Sequence, residues 1–385
     1  MIIIKKYFKG DPVIWIISFL LLIISIPAVY SASALISLKS QGDMHFLVRQ
    51  LLGVLTAVFV IYLSYRIPYK RYMSLIKIIF PIAVFLLLLT LFSGVSMNNA
   101  KRWIALPGIG IMLQTSEIAK IALIMLVAKN LAVKSEEETY EKNVKKATLA
   151  SVVIIGLIFP ADLSSALLIG LIIGIIYFAA AVKIKIIYKI LLIAFALLVI
   201  YVLAAEVFEL PGRFSTWQHR IETFLGDENN ISSDDTYQAD VSKMAIVNGG
   251  FFGKGPGNGT LRYLLPQSHS DFIFAFITEE YGLIMAGFII ILYLILFYRG
   301  IRAANKTKSL FAIYLILGFS LMIIFQAFIN IGVSVGALPV TGQTLPLISM
   351  GRTSLLVTSF AIGVILNVSK SQNQEFETHP ETENE

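Results

Sequence analysis

About ten stretches of roughly 20 apolar residues recur along this chain, each the length of α-helix that a bilayer's hydrocarbon core requires. They lie near 13–33, 46–65, 74–94, 114–131, 147–160, 163–181, 187–207, 271–298, 309–332 and 346–368, the fifth being short and closed by Pro160. A backbone without water must satisfy its N–H and C=O groups internally, and a helix does so within itself. The expected fold is therefore all-α, a polytopic membrane protein of about ten transmembrane helices. Composition agrees: 57% of the 385 residues are hydrophobic and 14% charged, with a mean hydropathy of +0.80, against roughly 45–50% and 25% in soluble domains. The chain has no cysteine, which excludes disulfides, thiolate metal sites and cysteine nucleophiles.

The formal charge of +7 belongs to the membrane, not to nucleic acid, because the basic residues flank apolar spans. Lys5, Lys6 and Lys9 precede the first span, and Ala32-Ser33-Ala34 resembles a signal-peptidase site. That span exceeds the usual 7–15 residue signal core, so it reads as a retained helix. Arg66, Lys70 and Arg71, then Lys134, Lys142, Lys145 and Lys146, then Lys183, Lys185 and Lys189, then Arg299, Arg302, Lys306 and Lys308 fall in alternate turns. The opposite short loops carry only Lys39, Lys101 and Arg102. This asymmetry places both termini in the cytoplasm.

Two outer segments are too long for simple turns: 93–113, and a loop over about 208–270 between the seventh and eighth spans. The second holds Arg213, Trp217, Arg220 and a glycine cluster, GGFFGKGPGNG, which argues for function. The acidic tail 369–385 lacks periodicity and is expected to be disordered, leaving 1–368 as a single transmembrane domain.

Polar residues at the outer ends of the spans are the candidate chemistry, since an ionised group at membrane depth needs a partner or a wet cavity. Lys101-Arg102-Trp103 reads either as an interfacial anchor or as a phosphate-recognising pair. In Gln114-Thr115-Ser116-Glu117-Ile118-Ala119-Lys120, Thr115 or Ser116 can cap a helix, and Glu117 and Lys120 at i, i+3 can pair. Asp162 sits where an N-cap belongs and also faces the outer side. Ser268-His269-Ser270-Asp271 leads into FIFAFITEE. With the helix starting at Asp271, Thr278 lies about 20° from it, Glu279 about 80°, and Glu280 on the opposite side. By itself Asp271 also reads as dipole compensation. His269 has no second ligand at zinc spacing. Leu338 to Ser354, LPVTGQTLPLISMGRTS, is irregular backbone before the last span and is expected to line the same outer cleft.

Taken in order, AKRWI with QTSEIAK, ADLSSAL, YQADVSKMAIVNGGFFGKGPGNG, LPQSHSDFIFAFITEEYGL and LPVTGQTLPLISMGRTSLL resemble the SEDS family of bacterial shape, elongation, division and sporulation proteins. The likeness covers nearly the whole chain, and the wording is closest to division-type members. It departs at Thr115, where the family often has proline, at Gln267, where it has glutamate, and at Gly351-Arg352-Thr353-Ser354, where it has Gly-Gly-Ser-Ser.

The resemblance implies a peptidoglycan glycosyltransferase of the cytoplasmic (inner) membrane that polymerises lipid II on the outer face. Its implied partners are a class B penicillin-binding transpeptidase and other division proteins. Asp271 matches the family's essential acid and is the expected general base. Lys101, Arg102, Glu117, Lys120 and Asp162 match polar positions of the cavity. Arg213, Lys254, Arg262, His269, Ser349 and Arg352 complete the expected substrate-binding set. The departing pyrophosphate needs positive charge, from basic residues among these and Arg220 or from a divalent cation, Mg or Mn, held by carboxylates. No organic cofactor is expected. The rival readings are a lipid II flippase and a non-catalytic division scaffold. A flippase should carry inverted repeats or broken paired helices near the midplane, whereas the polar motifs here gather at one face.

Overall fold

A computed structural model describes residues 9–33, 43–97, 100–105, 112–133, 137–189, 192, 199, 233–261, 264 and 270–378. The chain order is α1 (Pro12–Ala32), α2 (Asp43–Arg66), α3 (Tyr69–Ser93), β1 (Val95–Met97), β2 (Ala100–Ala105), β3 (Met112–Gln114) and α4 (Thr115–Ala132). It continues through α5 (Glu137–Ile158), α6 (Leu163–Ala179), α7 (Ser233–Gly249), α8 (Ile273–Lys306), α9 (Leu310–Ser334) and α10 (Arg352–Thr378). Among the described residues six helices, α1, α2, α3, α8, α9 and α10, are long and apolar enough to cross a membrane. The protein is thus a mostly helical, multi-pass membrane protein. The expected span 187–207 and most of the loop 208–270 lie outside the described residues, where the loop's described part contributes α7.

The all-α expectation needs one correction. Within 93–113 three short strands form an antiparallel sheet in the order β1-β2-β3, with Val95 opposite Trp103 and Trp103 opposite Gln114. Gly94, Asn98, Asn99, Pro107 and Gly108 leave no uninterrupted run for a helix, so the backbone satisfies itself by cross-strand pairing instead.

The chain divides into two compact units, each taken by itself. One comprises Met1–Pro68, Arg220–Lys306 and Ile323–Glu385, and the other Tyr69–His219 and Thr307–Met322. In the first, Asp11 caps α1 by accepting from the Val13 amide at 2.9 Å, with Pro12 at the first helical position, where its missing N–H costs nothing. The same carboxylate receives Arg299 of α8 at 2.7 Å. At the other end of α1, the Ser31 hydroxyl donates to the Glu280 carboxylate of α8. Two polar contacts therefore fix α1 antiparallel to α8. The inward face of α7, Val241 and Ala245, packs on Phe272, Ala275, Phe276 and Val333.

The feature that shapes this unit is a break in α8. Gly282 has φ 79° and ψ 176°, a conformation essentially reserved to glycine. An unbroken helix would send the Leu283 and Ile284 amides to the Glu279 and Glu280 carbonyls. Here those carbonyls accept instead from the Lys254 and Gly255 amides at 3.0 and 2.9 Å. The Leu283 and Ile284 amides in turn donate to the Gly250 and Phe251 carbonyls at 2.9 and 3.3 Å. The glycine loop thus threads the break and restores both pairs of backbone bonds. Glycine is required by contact as well as by torsion, since a Cβ would lie 2.0 Å from the Thr278 carbonyl oxygen at Gly249. At Gly253 it would lie 2.3 Å from the Glu280 oxygen, and at Gly282 2.2 Å from the Phe251 oxygen.

This geometry predicts opposite effects for two glycines of one helix. Gly282→Ala should cost about 3 kcal/mol or more, from torsion and collision together. Gly287→Ala, where a Cβ meets nothing within 4 Å, should stabilise by about 0.5–1 kcal/mol. Thermal unfolding of the purified protein checks both, and equal midpoints for the two variants would refute the threaded break.

Candidate functional site

Asp271 does not begin the helix. The amides of Ala275 and Phe276 close on the Phe272 carbonyl, so Phe272 is the cap and Asp271 stands one residue outside, half-buried. A helical angle from Asp271 to Glu279 or Glu280 is therefore not defined, since residue 271 precedes the helix, while both glutamates lie within it before the break at Gly282. Glu279 and Glu280 instead both reach the glycine loop. The point a Gly259 Cβ would occupy lies 3.0 Å from Glu279 Oε2 and 3.2 Å from Glu280 Oε1.

The Asp271 backbone is held from two directions. Asn330 Nδ2 of α9 donates to the Asp271 carbonyl at 2.8 Å and also to the Gln343 carbonyl at 2.8 Å. Ser349 Oγ donates to the Ser270 carbonyl at 2.7 Å and accepts from the Leu345 amide at 2.8 Å. Ser349 is buried, and Asn330 is fully so. Irregular backbone at 338–351 is thus tied to the acid's own main chain, as polar groups away from water must be. Gln326 continues the polar stripe of α9 one turn earlier, its Nε2 donating to Ser354 Oγ at 3.3 Å.

Glu279, fully buried, fastens the far side of the loop. Its Oε1 accepts from the Thr260 amide at 3.0 Å, the Thr260 hydroxyl at 3.3 Å and the Leu261 amide at 3.4 Å. Lys254 Nζ lies 3.7 Å away, so its charge balances a buried carboxylate. Arg352 opens α10 and is exposed. Arg213, Arg220, Arg262, Gln267 and His269 lie outside the described residues.

The second unit gathers Arg102, Glu117, Lys120 and Asp162. Asp162 caps α6, accepting from the Ser165 amide at 3.2 Å and its hydroxyl at 2.9 Å. Arg102 of β2 donates through Nε to the Ala161 carbonyl at 2.8 Å and sets Nη2 3.4 Å from Asp162. The guanidinium thus ties the sheet to the turn before α6. Next to it is a 20 Å³ cavity lined by Thr90, Arg102, Thr115, Ser116, Ala161 and Asp162, enough for about one water. The side chain of Lys101 lies outside the described residues. The α4 cap falls on Gln114, without a side-chain bond, and not on Thr115 or Ser116. Thr115 Oγ1 instead meets Thr90 Oγ1 at 2.9 Å.

Glu117 and Lys120 pair at 2.7 Å, with side chains 3% and 0% exposed. Desolvation offsets most of the attraction in such a pair, but removing one member strands the other. Lys120→Ala should therefore cost about 3–5 kcal/mol, while Glu117→Gln combined with Lys120→Met should recover most of that loss. A double-mutant cycle on thermal unfolding measures it, and additive losses would show that the pair is not coupled.

Sequence reasoning missed Asn330 and Thr260. Asn330 had a usable signal, an amide one turn after Gln326 within an otherwise apolar helix. The Thr260 contact had none, because it depends on the loop folding back on a helix 18 or more residues away.

Residues 11–374 match the family model described as cell cycle protein, FtsW/RodA/SpoVE. The probable peptidoglycan glycosyltransferase FtsW of Geobacter sulfurreducens is 34% identical over 372 residues, covering 95% of this chain and 96% of the relative. Stage V sporulation protein E of Bacillus subtilis is also 34% identical, over 379 residues, covering 95% and 98%. Among solved structures, a chain of a peptidoglycan synthase complex coordinating polymerization and crosslinking superposes with a TM-score of 0.73 at 24% identity, covering 95% of this chain and 99% of that one. Thermus thermophilus rod shape determining protein RodA gives 0.68 at 22% identity, covering 95% and 99%. The match to the family model over residues 11–374, with relatives 34% identical over 95% of the chain, places this chain in the FtsW/RodA/SpoVE family of cell cycle proteins.

Proposed function

We propose that this protein is a peptidoglycan glycosyltransferase that polymerises lipid II at the outer face of the cytoplasmic membrane, in cell division, with Asp271 as its general base. The observation that carries the assignment is the mounting of Asp271. It stands outside the helix, half-buried, with the carbonyls of residues 270 and 271 gripped by Ser349 and Asn330. Relatives 34% identical over nearly the whole chain bear the name peptidoglycan glycosyltransferase.

The acceptor's glucosamine 4-hydroxyl attacks the anomeric carbon of the growing strand. A C–O bond forms there, the bond from that carbon to the pyrophosphate oxygen breaks, and its electron pair leaves with undecaprenyl pyrophosphate. The hydroxyl proton passes to the Asp271 carboxylate. A positioned base of this kind contributes typically 10²–10⁴-fold. The leaving group's charge is met by a cation, for which Arg352, exposed at the start of α10, is the candidate on the same unit as Asp271, or by a Mg or Mn ion held by carboxylates. Both termini face the cytoplasm by the distribution of Lys and Arg. The partner that crosslinks the strands is a class B penicillin-binding transpeptidase, a reading supported by the similar fold of a chain from a complex that coordinates polymerization and crosslinking.

Asp271→Asn keeps size and removes the base. Wild type and variant, each with its cognate transpeptidase, are given lipid II, and the glycan strands are resolved on a gel. Strands from wild type alone, lost on adding EDTA if the metal ion is needed, are the expected result. Equal strands from both would move the base elsewhere, and none from an active wild-type complex would favour lipid II translocation. In the same assay, Arg352→Ala should lower kcat/KM on the order of 10²-fold, with Arg352→Lys partly restoring it. Unchanged rates would assign the pyrophosphate to other cations.

A further inference from the structure

Two contacts between α1 and α8 serve as a depth gauge. Asp11 meets Arg299 at one end and Ser31 meets Glu280 at the other. About twenty residues of α1 separate Asp11 from Ser31, roughly 30 Å at 1.5 Å per residue. That equals the hydrocarbon thickness of a typical bilayer. Glu280 and the break at Gly282 therefore lie at the membrane boundary on the Ser31 side. The hydrogen bond from the Ile284 amide to the Phe251 carbonyl fixes the Phe251–Phe252 turn at that same level.

The surface at this level is apolar. Phe252 is 85% exposed, Val247 81%, Phe251 70% and Met244 57%. Met244 and Val247 lie three residues apart on one face of α7, and Phe251 and Phe252 follow in the turn after the helix ends at Gly249. The opposite face of α7 is already buried in the core through Val241 and Ala245, so the C-terminal half of the helix is apolar on two sides. Such a helix needs a second cover. The N-terminal half differs, carrying the exposed pair Asp240 and Lys243 at 3.4 Å. The exposed apolar surface also runs on without a gap in level into the outward stripe of α8, Ile284, Phe288, Ile291, Ile295 and Tyr298. That stripe lies along a membrane-crossing helix and faces acyl chains.

We infer that the C-terminal half of α7 and the Phe251–Phe252 turn are inserted into the leaflet on the Ser31 side, with lipid acyl chains as their partner and the Asp240 end of α7 in water. The loop that threads the break in α8 is thereby tied to the bilayer as well as to the protein. This assignment does not depend on the enzymatic reading, and it holds whichever leaflet that side proves to be.

The chain's lack of cysteine permits single nitroxide labels without removing native thiols. The full-length protein carrying Asp240→Cys, Val247→Cys, Phe252→Cys or, as the lipid reference, Phe288→Cys is labelled and reconstituted into phosphatidylethanolamine–phosphatidylglycerol vesicles. Collision with oxygen, which concentrates among acyl chains, is compared with collision with the aqueous relaxant NiEDDA. Labels at 247 and 252 should favour oxygen over NiEDDA, though less strongly than the label at 288, which lies deeper along α8, and the label at 240 should favour NiEDDA. Unfolding midpoints near wild type confirm that each variant is folded, and three exposed positions guard against one poor substitution. Water-like accessibility at both 247 and 252 would overturn the inference. So would NiEDDA accessibility that is lost, without any gain in oxygen collisions, only when the transpeptidase is added, because the cover would then be a protein.

Discussion

The exchange of backbone hydrogen bonds at Gly282 is the constraint on which the first unit rests. A helix within a bilayer cannot stop and restart cheaply, because the amides and carbonyls released at the break have no water to turn to. Here the four released groups are taken up in two reciprocal pairs by a loop that approaches closely enough only because Gly249, Gly253 and Gly282 carry no side chain. The break separates a short, almost wholly buried segment bearing Glu279 and Glu280 from the long apolar remainder of α8. Glu279 then fastens the loop from the other side through Thr260 and Leu261. Backbone and side chain thus act on the same loop from the same two turns of helix.

The charged groups of the second unit are organised by a different rule. Arg102, Asp162, Glu117 and Lys120 are all largely or fully buried, and each meets a partner within its own unit. Asp162 caps α6 while receiving a cation. Arg102 spends its Nε on a backbone carbonyl, which makes it a brace between the sheet and the turn at residues 159–162. Buried ion pairs contribute little net stability against an apolar replacement, so their value lies in fixing geometry.

The membrane-spanning elements were legible in the sequence because length and apolarity alone specify them: α1, α2 and α9 begin and end within a few residues of the apolar runs. Asp271 was legible as an acid at the mouth of an apolar stretch, and the Glu117–Lys120 pair through its helical spacing. What was not legible depends on partners distant in the chain. The strands are too short for periodicity to mark them, and they exist because each edge finds another. The break at Gly282 looks like one more glycine in an apolar helix until the loop some 30 residues earlier is laid against it. Asn330 is an ordinary polar interruption until its amide is seen to grip Asp271 and Gln343 together.

The anchors at Asp271 have a chemical consequence of their own. Asn330 and Ser349 hold main-chain carbonyls, not the carboxylate. A carboxylate positioned chiefly by ionic contacts loosens whenever it takes up a proton, because the attraction that placed it disappears. Residue 271 has these two anchors whatever its ionisation state. On the proposed reading of Asp271 as the base, the main-chain mount beneath its carboxyl is the same before and after each proton transfer.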